Sequence, residues 1–358
     1  MPGHEEERDA FADRIFSSAL GYFDVLTIHL GQRLGLYRAI VELGRATPAE
    51  LAERAGIAER YAREWLEQQA TAGILHADVG PDATTFELSA GHAEVLLDGD
   101  SLSFMGASVM QLMALRGAFD HVVEAFRTGV GVPYEAYGVD GVEGQGGANR
   151  PIFLSTLPDE WLPAIPDVHD RLSSDGELRI LDVGCGTGWS SIAMARAYPN
   201  VTIDGFDPDP TSIELARRNA GEAGLGDRVR FHAKDAAALA VDGPAAFATA
   251  FECLHDMANP VDVLRAVHRS LGPTGAMLVV DEKTEDTFSG KPNQLEAYFY
   301  GWSVLDCLPS GMYQQPSAAT GAVMRPETLR SYASQAGFSG VEVLPIEHDA
   351  FRLYLLHR

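Results

Sequence analysis

The reading of this chain turns on Ile180-Leu181-Asp182-Val183-Gly184-Cys185-Gly186-Thr187-Gly188. A short apolar run reads as a buried strand, three alternating glycines follow it, and Ser190 to Ala197 continues as a helix-like segment. Glycines permit a tight turn and let a ligand approach the main chain, and in open α/β sheets ligands bind beyond the carboxyl ends of the strands. The alternative is a merely tight strand-to-helix turn. A dinucleotide fingerprint needs glycine or alanine where Trp189 stands, and a phosphate loop needs a Gly-Lys-Ser/Thr ending that is absent. What remains is D-x-G-x-G-x-G.

Working outward, the runs Ile180–Val183, Val201–Phe206, Val229–Phe231, Ala245–Phe251 and Ala276–Val280 alternate with helical segments, which predicts a parallel α/β sheet. The last two runs, Val341–Leu344 and Phe351–Leu356, leave no room for a helical crossover and should pair as an antiparallel hairpin. Asp207, in Gly205-Phe206-Asp207-Pro208, follows the second strand, where a carboxylate can accept both hydroxyl hydrogens of a ribose. Asp235, after the third, is placed to face an adenine amino group.

Taken together, these residues resemble the class I S-adenosylmethionine-dependent methyltransferases across residues 173–358. The resemblance implies an α/β, Rossmann-like seven-stranded sheet whose last strand is inserted antiparallel. It implies S-adenosylmethionine as cofactor, with Asp182, Gly184, Gly186 and Gly188 around the methionine part, Asp207 and Pro208 at the ribose, Asp235 and Ala236 at the adenine, and Phe251 beside them.

The first 172 residues have a different texture. Phe11, Ile15, Tyr22, Leu26, Leu30 and Leu34 recur at helical spacing. Thr47-Pro48-Ala49-Glu50 reads as a capped helix start that Gly56 ends, and Arg60–Ala72 reads as a second helix with Tyr61, Trp65 and Leu66 on one side. Two short strands, Ile74–His76 and Phe86–Leu88, complete a winged-helix pattern. A DNA-reading helix needs cations for the phosphates, and Glu59, Glu64 and Glu67 offset Arg60 and Arg63. Leu102 to Phe126 is again helical, and the glycines from Gly129 to Gly147 then predict an irregular or mobile connection, the sort of place where active-site lids occur. Ser173-Ser174-Asp175-Gly176 marks the boundary between a 1–172 domain and a 173–358 domain. The segment Leu30–Tyr37 and the winged pattern resemble the dimerisation region of small-molecule O-methyltransferases and an actinobacterial group of winged-helix methyltransferases, which implies a homodimer.

For chemistry, Phe251-Glu252-Cys253-Leu254-His255-Asp256-Met257 resembles the segment of plant-type O-methyltransferases in which a histidine deprotonates a hydroxyl. The resemblance implies His255 as general base and Glu282, with Asp281 as rival, as the acid that orients it. Two residues depart from that pattern: Met257 stands for its tryptophan and Phe251 for its lysine. An amine or carbon acceptor, with His255 only positioning it, is therefore the second reading; the other is that His255 simply packs at the Asn259-Pro260 helix start. A third, from another class, is a cofactor-sensing regulator on DNA. Phe153, Trp161, Tyr298 and Trp302 are candidate walls for a mostly apolar acceptor, against the alternative that each is core. No metal is expected, since the acidic residues show no clustered ligand spacing.

Composition narrows the partners. With 27 Lys and Arg against 51 Asp and Glu the formal charge is −24, which repels nucleic acid and anionic membranes. The start MPGHEEERDA lacks a signal-peptide pattern, and no apolar stretch is long enough to cross a bilayer. Cys185, Cys253 and Cys307 are scattered and odd in number, as in a reducing compartment, so a cytoplasmic location is expected.

Overall fold

The computed structural model describes residues 3–239 and 243–358; Met1 and Pro2, part of the charged start, and Ala240, Val241 and Asp242 lie outside the described residues. The chain divides into two compact units, Met1–Met113 and Ala114–Arg358.

The first unit runs α1 (His4–Arg33), α2 (Leu36–Leu43), α3 (Pro48–Ala55), α4 (Glu59–Thr71), β1 (His76–Val79), β2 (Thr84–Glu87) and α5 (Ala90–Leu97). The predicted capping box forms, with Thr47 Oγ1 accepting from the Glu50 amide at 3.3 Å and Glu50 Oε2 from the Thr47 amide at 2.8 Å. Gly56 ends α3 at φ +67°. The strands pair antiparallel from His76 opposite Glu87 to Val79 opposite Thr84, forming the wing. Trp65 and Leu66 are buried, but Tyr61 is 78% exposed, contrary to expectation. The buried stripe of α4 is Ala62, Trp65, Leu66 and Gln69, and at 100° per residue Tyr61 falls roughly a quarter turn off its centre. Arg63 pairs with Glu59 at 3.2 Å and Arg60 with Glu64, so both cations of α4 are engaged on their own helix.

α6 (Gly106–Thr128) carries the division between the units. The second unit continues with α7 (Gly138–Leu154), α8 (Pro166–Leu172), β3 (Leu178–Val183), α9 (Trp189–Ala197), β4 (Val201–Asp207), α10 (Pro210–Glu222), β5 (Val229–Ala233), β6 (Ala245–Phe251), α11 (Pro260–Ser270), β7 (Leu271–Glu282), α12 (Gln294–Trp302), α13 (Leu308–Gly311), α14 (Pro326–Ala336), β8 (Gly340–Val343) and β9 (Phe351–His357). The seven strands lie in the order β5-β4-β3-β6-β7-β9-β8. β9 is antiparallel to both neighbours, as expected of an inserted last strand. Side chains alternate across the sheet. Ile180, Phe247 and Leu278 face one apolar layer, and Leu181, Ala248, Met277 and Val279 the other. Each of the larger of these side chains, fully buried, contributes about 1.5–3 kcal/mol, and Ala248 less.

Two further features differ from expectation. The division of the chain falls at 113/114 rather than 172/173, because Phe153, Leu157, Trp161, Ile165, Val168 and Leu172 belong to the core layer on one face of the sheet. The glycine-rich stretch is not irregular throughout: α7 runs through Gly138, Gly141, Gly144, Gly146 and Gly147. Glycine weakens an isolated helix, but here it permits close approach. A Cβ on Gly146 would lie 2.2 Å from Thr187 Oγ1, inside the glycine loop.

Candidate active site

The order of strands reverses between β3 and β6, and the crevice outside such a switch point is where this sheet type binds ligands. Two loops face each other there. On one side the turn after β3 uses three left-handed glycines, Gly184 at φ +65°, Gly186 at φ +49° and Gly188 at φ +83°. A side chain at Gly184 would strike Cys253 Sγ at 2.6 Å, and one at Gly188 would strike Phe231. At Gly186 it would meet nothing within 4 Å, so this glycine borders open space rather than packed protein. Its amide donates to Asp207 Oδ2 at 3.0 Å, and the Asp209 amide donates to Asp207 Oδ1 at 2.9 Å. Burial pushes the Asp207 carboxyl up to about 6, against the pull of those two amides.

Asp182 does something different from what was expected. Its carboxylate is fully buried and accepts from Ser190 Oγ at 2.6 Å, Ser191 Oγ at 2.6 Å and Thr249 Oγ1 at 2.9 Å. Three hydroxyls occupy it, so it ties β3, β6 and the start of α9 together and shapes the loop from beneath. Asp235 is exposed and caps the turn Ala236–Ala238 through the Ala237 amide at 2.8 Å, while Ala236 is buried. Pro208 lies between the two amide-bonded carboxylates Asp207 and Asp209.

Across the crevice, β6 ends at Phe251, and Glu252 adopts φ +48°, a conformation that costs a non-glycine residue of order 1–3 kcal/mol and concentrates at functional sites. The turn is held from two sides: the Glu252 amide donates to Val280 O at 2.8 Å, and Gly321 N–H donates to His255 O at 3.1 Å. It delivers His255, 2% exposed, into a ring of acids. Nδ1 lies 2.9 Å from Asp281 Oδ1 and 3.2 Å from Glu282 Oε2, and Nε2 lies 3.3 Å from Asp256 Oδ1. Asp281 thus holds the imidazole at least as closely as Glu282 does.

Burial alone would lower the histidine's proton affinity, but Asp256, Glu282 and Asp281 together raise it well above the ordinary value. Burial raises Glu252 and Asp256 and brings Glu282 up to about 7. Asp306, buried and near Asp256, is also brought up to about 7. Protons at this site belong to the cluster rather than to one residue.

Several members escaped the sequence reading. Glu252 and Asp256 flank His255 in the quoted run and were legible there. Asp306 and Cys307 lie on the π turn Ser303–Cys307, far away in sequence, and no local signal marks them. Tyr134 and Tyr137 lie in the short 3-10 turn before α7, and Tyr137 Oη donates to Leu305 O at 2.9 Å. Burial of the Tyr134 hydroxyl, and then the carboxylates of Asp306, Asp207 and Asp256, raise its proton affinity, while the residue as a whole is 39% exposed. The expectation of no metal-ligand cluster rested on spacing along the chain. The fold nevertheless brings His255, Asp256 and Cys307 together, and also His255, Asp281 and Glu282.

The expected aromatic walls separate. Trp161 is 1% exposed and stands edge-on to Phe351 and His348, which makes it core rather than acceptor wall. Phe153 and Phe251 pack on each other at 5.1 Å between centroids, and both are buried. Tyr298 is exposed, edge-to-face with Trp302 at 6.1 Å, and Trp302 leads directly into the turn that bears Asp306 and Cys307.

The tightest packing beneath the glycine loop offers a test. Gly146→Ala must push α7 away from Thr187, and we expect it to lose about 1–3 kcal/mol of stability and to weaken cofactor binding. Gly221→Ala in α10, with open space around it, should instead gain about 0.5–1 kcal/mol. Denaturant unfolding and calorimetric titration with S-adenosylhomocysteine check both.

Comparison with known proteins agrees with this geometry. Residues 174–316 match a family described as a methyltransferase domain, and residues 24–97 match an Rv2258c-like winged HTH domain. The ubiquinone biosynthesis O-methyltransferase of Paracidovorax citrulli is 37% identical over 129 residues, 35% of this chain and 50% of that protein, so the match spans half the relative's length. The Pseudomonas aeruginosa protein of the same name is 27% identical over 183 residues, 51% of this chain and 73% of that protein. Among solved structures, mitomycin 7-O-methyltransferase MmcR superposes with a TM-score of 0.71 at 21% identity, covering 99% of each chain. Human N-acetylserotonin methyltransferase in complex with SAM superposes with a TM-score of 0.67 at 17% identity, covering 97% of each. At such identities the structural likeness speaks for the fold.

Proposed function

Since the chain carries an S-adenosylmethionine-dependent methyltransferase domain behind a winged helix-turn-helix domain, we propose that it transfers a methyl group to a hydroxyl oxygen of a small aromatic or polycyclic acceptor. The observation that carries the reading is His255, held at the carboxyl end of β6 opposite the glycine loop, with Nδ1 bonded to Asp281 and Nε2 turned to the half-buried Asp256. The cofactor supplies the methyl group as an electrophilic sulfonium. The open face of Gly186 and the Asp207 carboxylate fit its methionine and ribose parts, with Asp235 and Ala236 toward the adenine.

Methyl transfer is an in-line displacement, so the protein's work is alignment, exclusion of water and removal of one proton. In our reading the acceptor hydroxyl takes the place of Asp256 at Nε2 and gives its proton to the imidazole. The oxygen bonds to the methyl carbon, and the electron pair of the breaking C–S bond remains on sulfur. Asp281 and Glu282 stabilise the imidazolium. Trp302, Tyr137 and the Tyr134 ring, 39% exposed, bound the acceptor side. Incubating the purified chain with S-adenosylmethionine and paired hydroxyl, amine and O-blocked aromatics, with products read by mass, tests this. Methylation of amines or carbon sites but of no free hydroxyl would replace it with the second reading, suggested by Met257 and Phe251.

The first unit suits pairing of two chains better than binding of DNA. α1 exposes Phe11, Ile15, Phe16, Leu20 and Phe23, each at least half exposed, an apolar load that isolated surface helices rarely carry. Phe16→Glu with Phe23→Glu is expected to convert a dimer to a monomer in sedimentation equilibrium; an unchanged mass would remove α1 from the interface. Among the described residues no helix is long and apolar enough to cross a membrane. The three cysteines are free thiols, in keeping with a reducing, cytoplasmic setting.

A further inference from the structure

Three kinds of ligand atom converge on the front of His255. Its Nε2 is 3.3 Å from Asp256 Oδ1, and Cys307 Sγ stands close to both. The ligand atoms of His255, Asp256 and Cys307 all lie within 4.8 Å of one another. In a tetrahedral zinc site with bonds of about 2.0–2.3 Å, neighbouring ligand atoms are roughly 3.3–3.8 Å apart, so small side-chain shifts would close this triad on an ion. One imidazole nitrogen, one thiolate and one carboxylate form a donor set of the zinc type, too soft for magnesium or calcium.

The rest of the imidazole is already arranged for this. Nδ1 is engaged by Asp281 Oδ1 at 2.9 Å, the carboxylate behind a metal-bound histidine, so Nε2 becomes a ligand once the ion displaces its proton. A separate observation points the same way. Asp256 Oδ1, on the front face, is shielded from solvent and accepts no hydrogen bond, its nearest polar neighbour being His255 Nε2 at 3.3 Å. A buried acceptor oxygen without a donor is costly, and a cation shared with Nε2 satisfies it. Two triads share His255. The one at its back, with Asp281 and Glu282, is closed by the hydrogen bond to Nδ1, whereas the front triad uses Nε2.

We propose that His255, Asp256 and Cys307 bind a divalent cation of the zinc type, and that the bound ion blocks methyl transfer by occupying Nε2. The inhibitory part rests on the base role of His255 argued above; the binding part does not. The test is titration of the metal-stripped full chain with Zn2+ against a chelating dye, and with Co2+ followed by its thiolate charge-transfer absorption. Saturable binding of one ion, a thiolate band that vanishes in Cys307→Ser, and at least tenfold weaker binding in Asp256→Asn are the expected results. Calorimetry with S-adenosylhomocysteine verifies that both variants are folded. Absence of saturable binding, or binding that neither substitution weakens, overturns the site. Zinc that binds this triad yet leaves the methylation rate unchanged overturns the inhibition alone, and a chain that binds zinc here but methylates no hydroxyl overturns the functional reading alone.

Discussion

His255→Asn is expected to lower the single-turnover rate of methyl transfer to a hydroxyl acceptor by about 10²–10⁴-fold, the usual contribution of a positioned general base. The affinity for S-adenosylhomocysteine should not change. The two effects separate because His255 belongs to the turn after β6, whereas the Gly186 and Asp207 side of the crevice is built on β3 and β4. Asn keeps a polar side chain of similar reach in the buried site but cannot take up the proton. Asp281→Asn should cost less, since Glu282 Oε2 is already 3.2 Å from Nδ1 and can take over the orientation of the ring. If the acceptor were an already neutral amine, His255→Asn would cost little, and a near-wild-type rate with a hydroxyl acceptor would remove the base from the mechanism.

The contrast between the two sides of the crevice also explains what could be read from the sequence. The glycine side is continuous in the chain: strand, three left-handed glycines and helix follow one another, and Asp207 falls at the end of the next strand, so spacing alone singles out Gly184, Gly186, Gly188 and Asp207 as one loop and its carboxylate partner. Asp182 stands out by the same spacing, but nothing in the sequence says that Ser190, Ser191 and Thr249 all turn their hydroxyls onto it. On the His255 side only the run Glu252-Cys253-Leu254-His255-Asp256-Met257 is local. Asp306 and Cys307 arrive on a π turn some fifty residues later, and Tyr137 from more than a hundred residues earlier, through contacts that only the tertiary fold creates.

Glycine patterns misled for a related reason. Propensity predicts that the stretch from Gly138 to Gly147 breaks a helix, and in isolation it would. In the folded chain a missing Cβ can count for packing as well as for propensity, as it does at Gly146 but not at Gly138. With Gly146 so close to Thr187, the helix lies against the loop only because the side chain is absent. Trp161 shows the converse. A large aromatic just before an α/β domain suggests a ligand wall, yet its edge-on contacts with Phe351 and His348 bury it completely in the sheet's own core.

The second large effect concerns Asp207. Asp207→Ala is expected to weaken S-adenosylmethionine binding by roughly 10²-fold or more, since hydrogen bonds to a charged group contribute about 1.5–3 kcal/mol each and the proposed ribose contact uses two. The loop should also lose definition, because Asp207 Oδ2 is what the Gly186 amide binds. A pH dependence distinguishes the ligand role from the structural one. Burial raises the free carboxyl to about 6, and only the ionised form can accept from both ribose hydroxyls. Binding therefore favours the deprotonated protein. Affinity should be flat above about pH 7, fall as pH drops through 6, and fall by up to tenfold per unit below that until the bound-state carboxyl itself protonates. Calorimetric titrations of the wild-type chain and Asp207→Asn across this range decide the matter. The Asn variant should bind weakly at every pH and show no inflection near 6. An inflection that persists in Asp207→Asn would assign the titration to another group, and wild-type affinity in the Ala variant would take the ribose contact away from this residue.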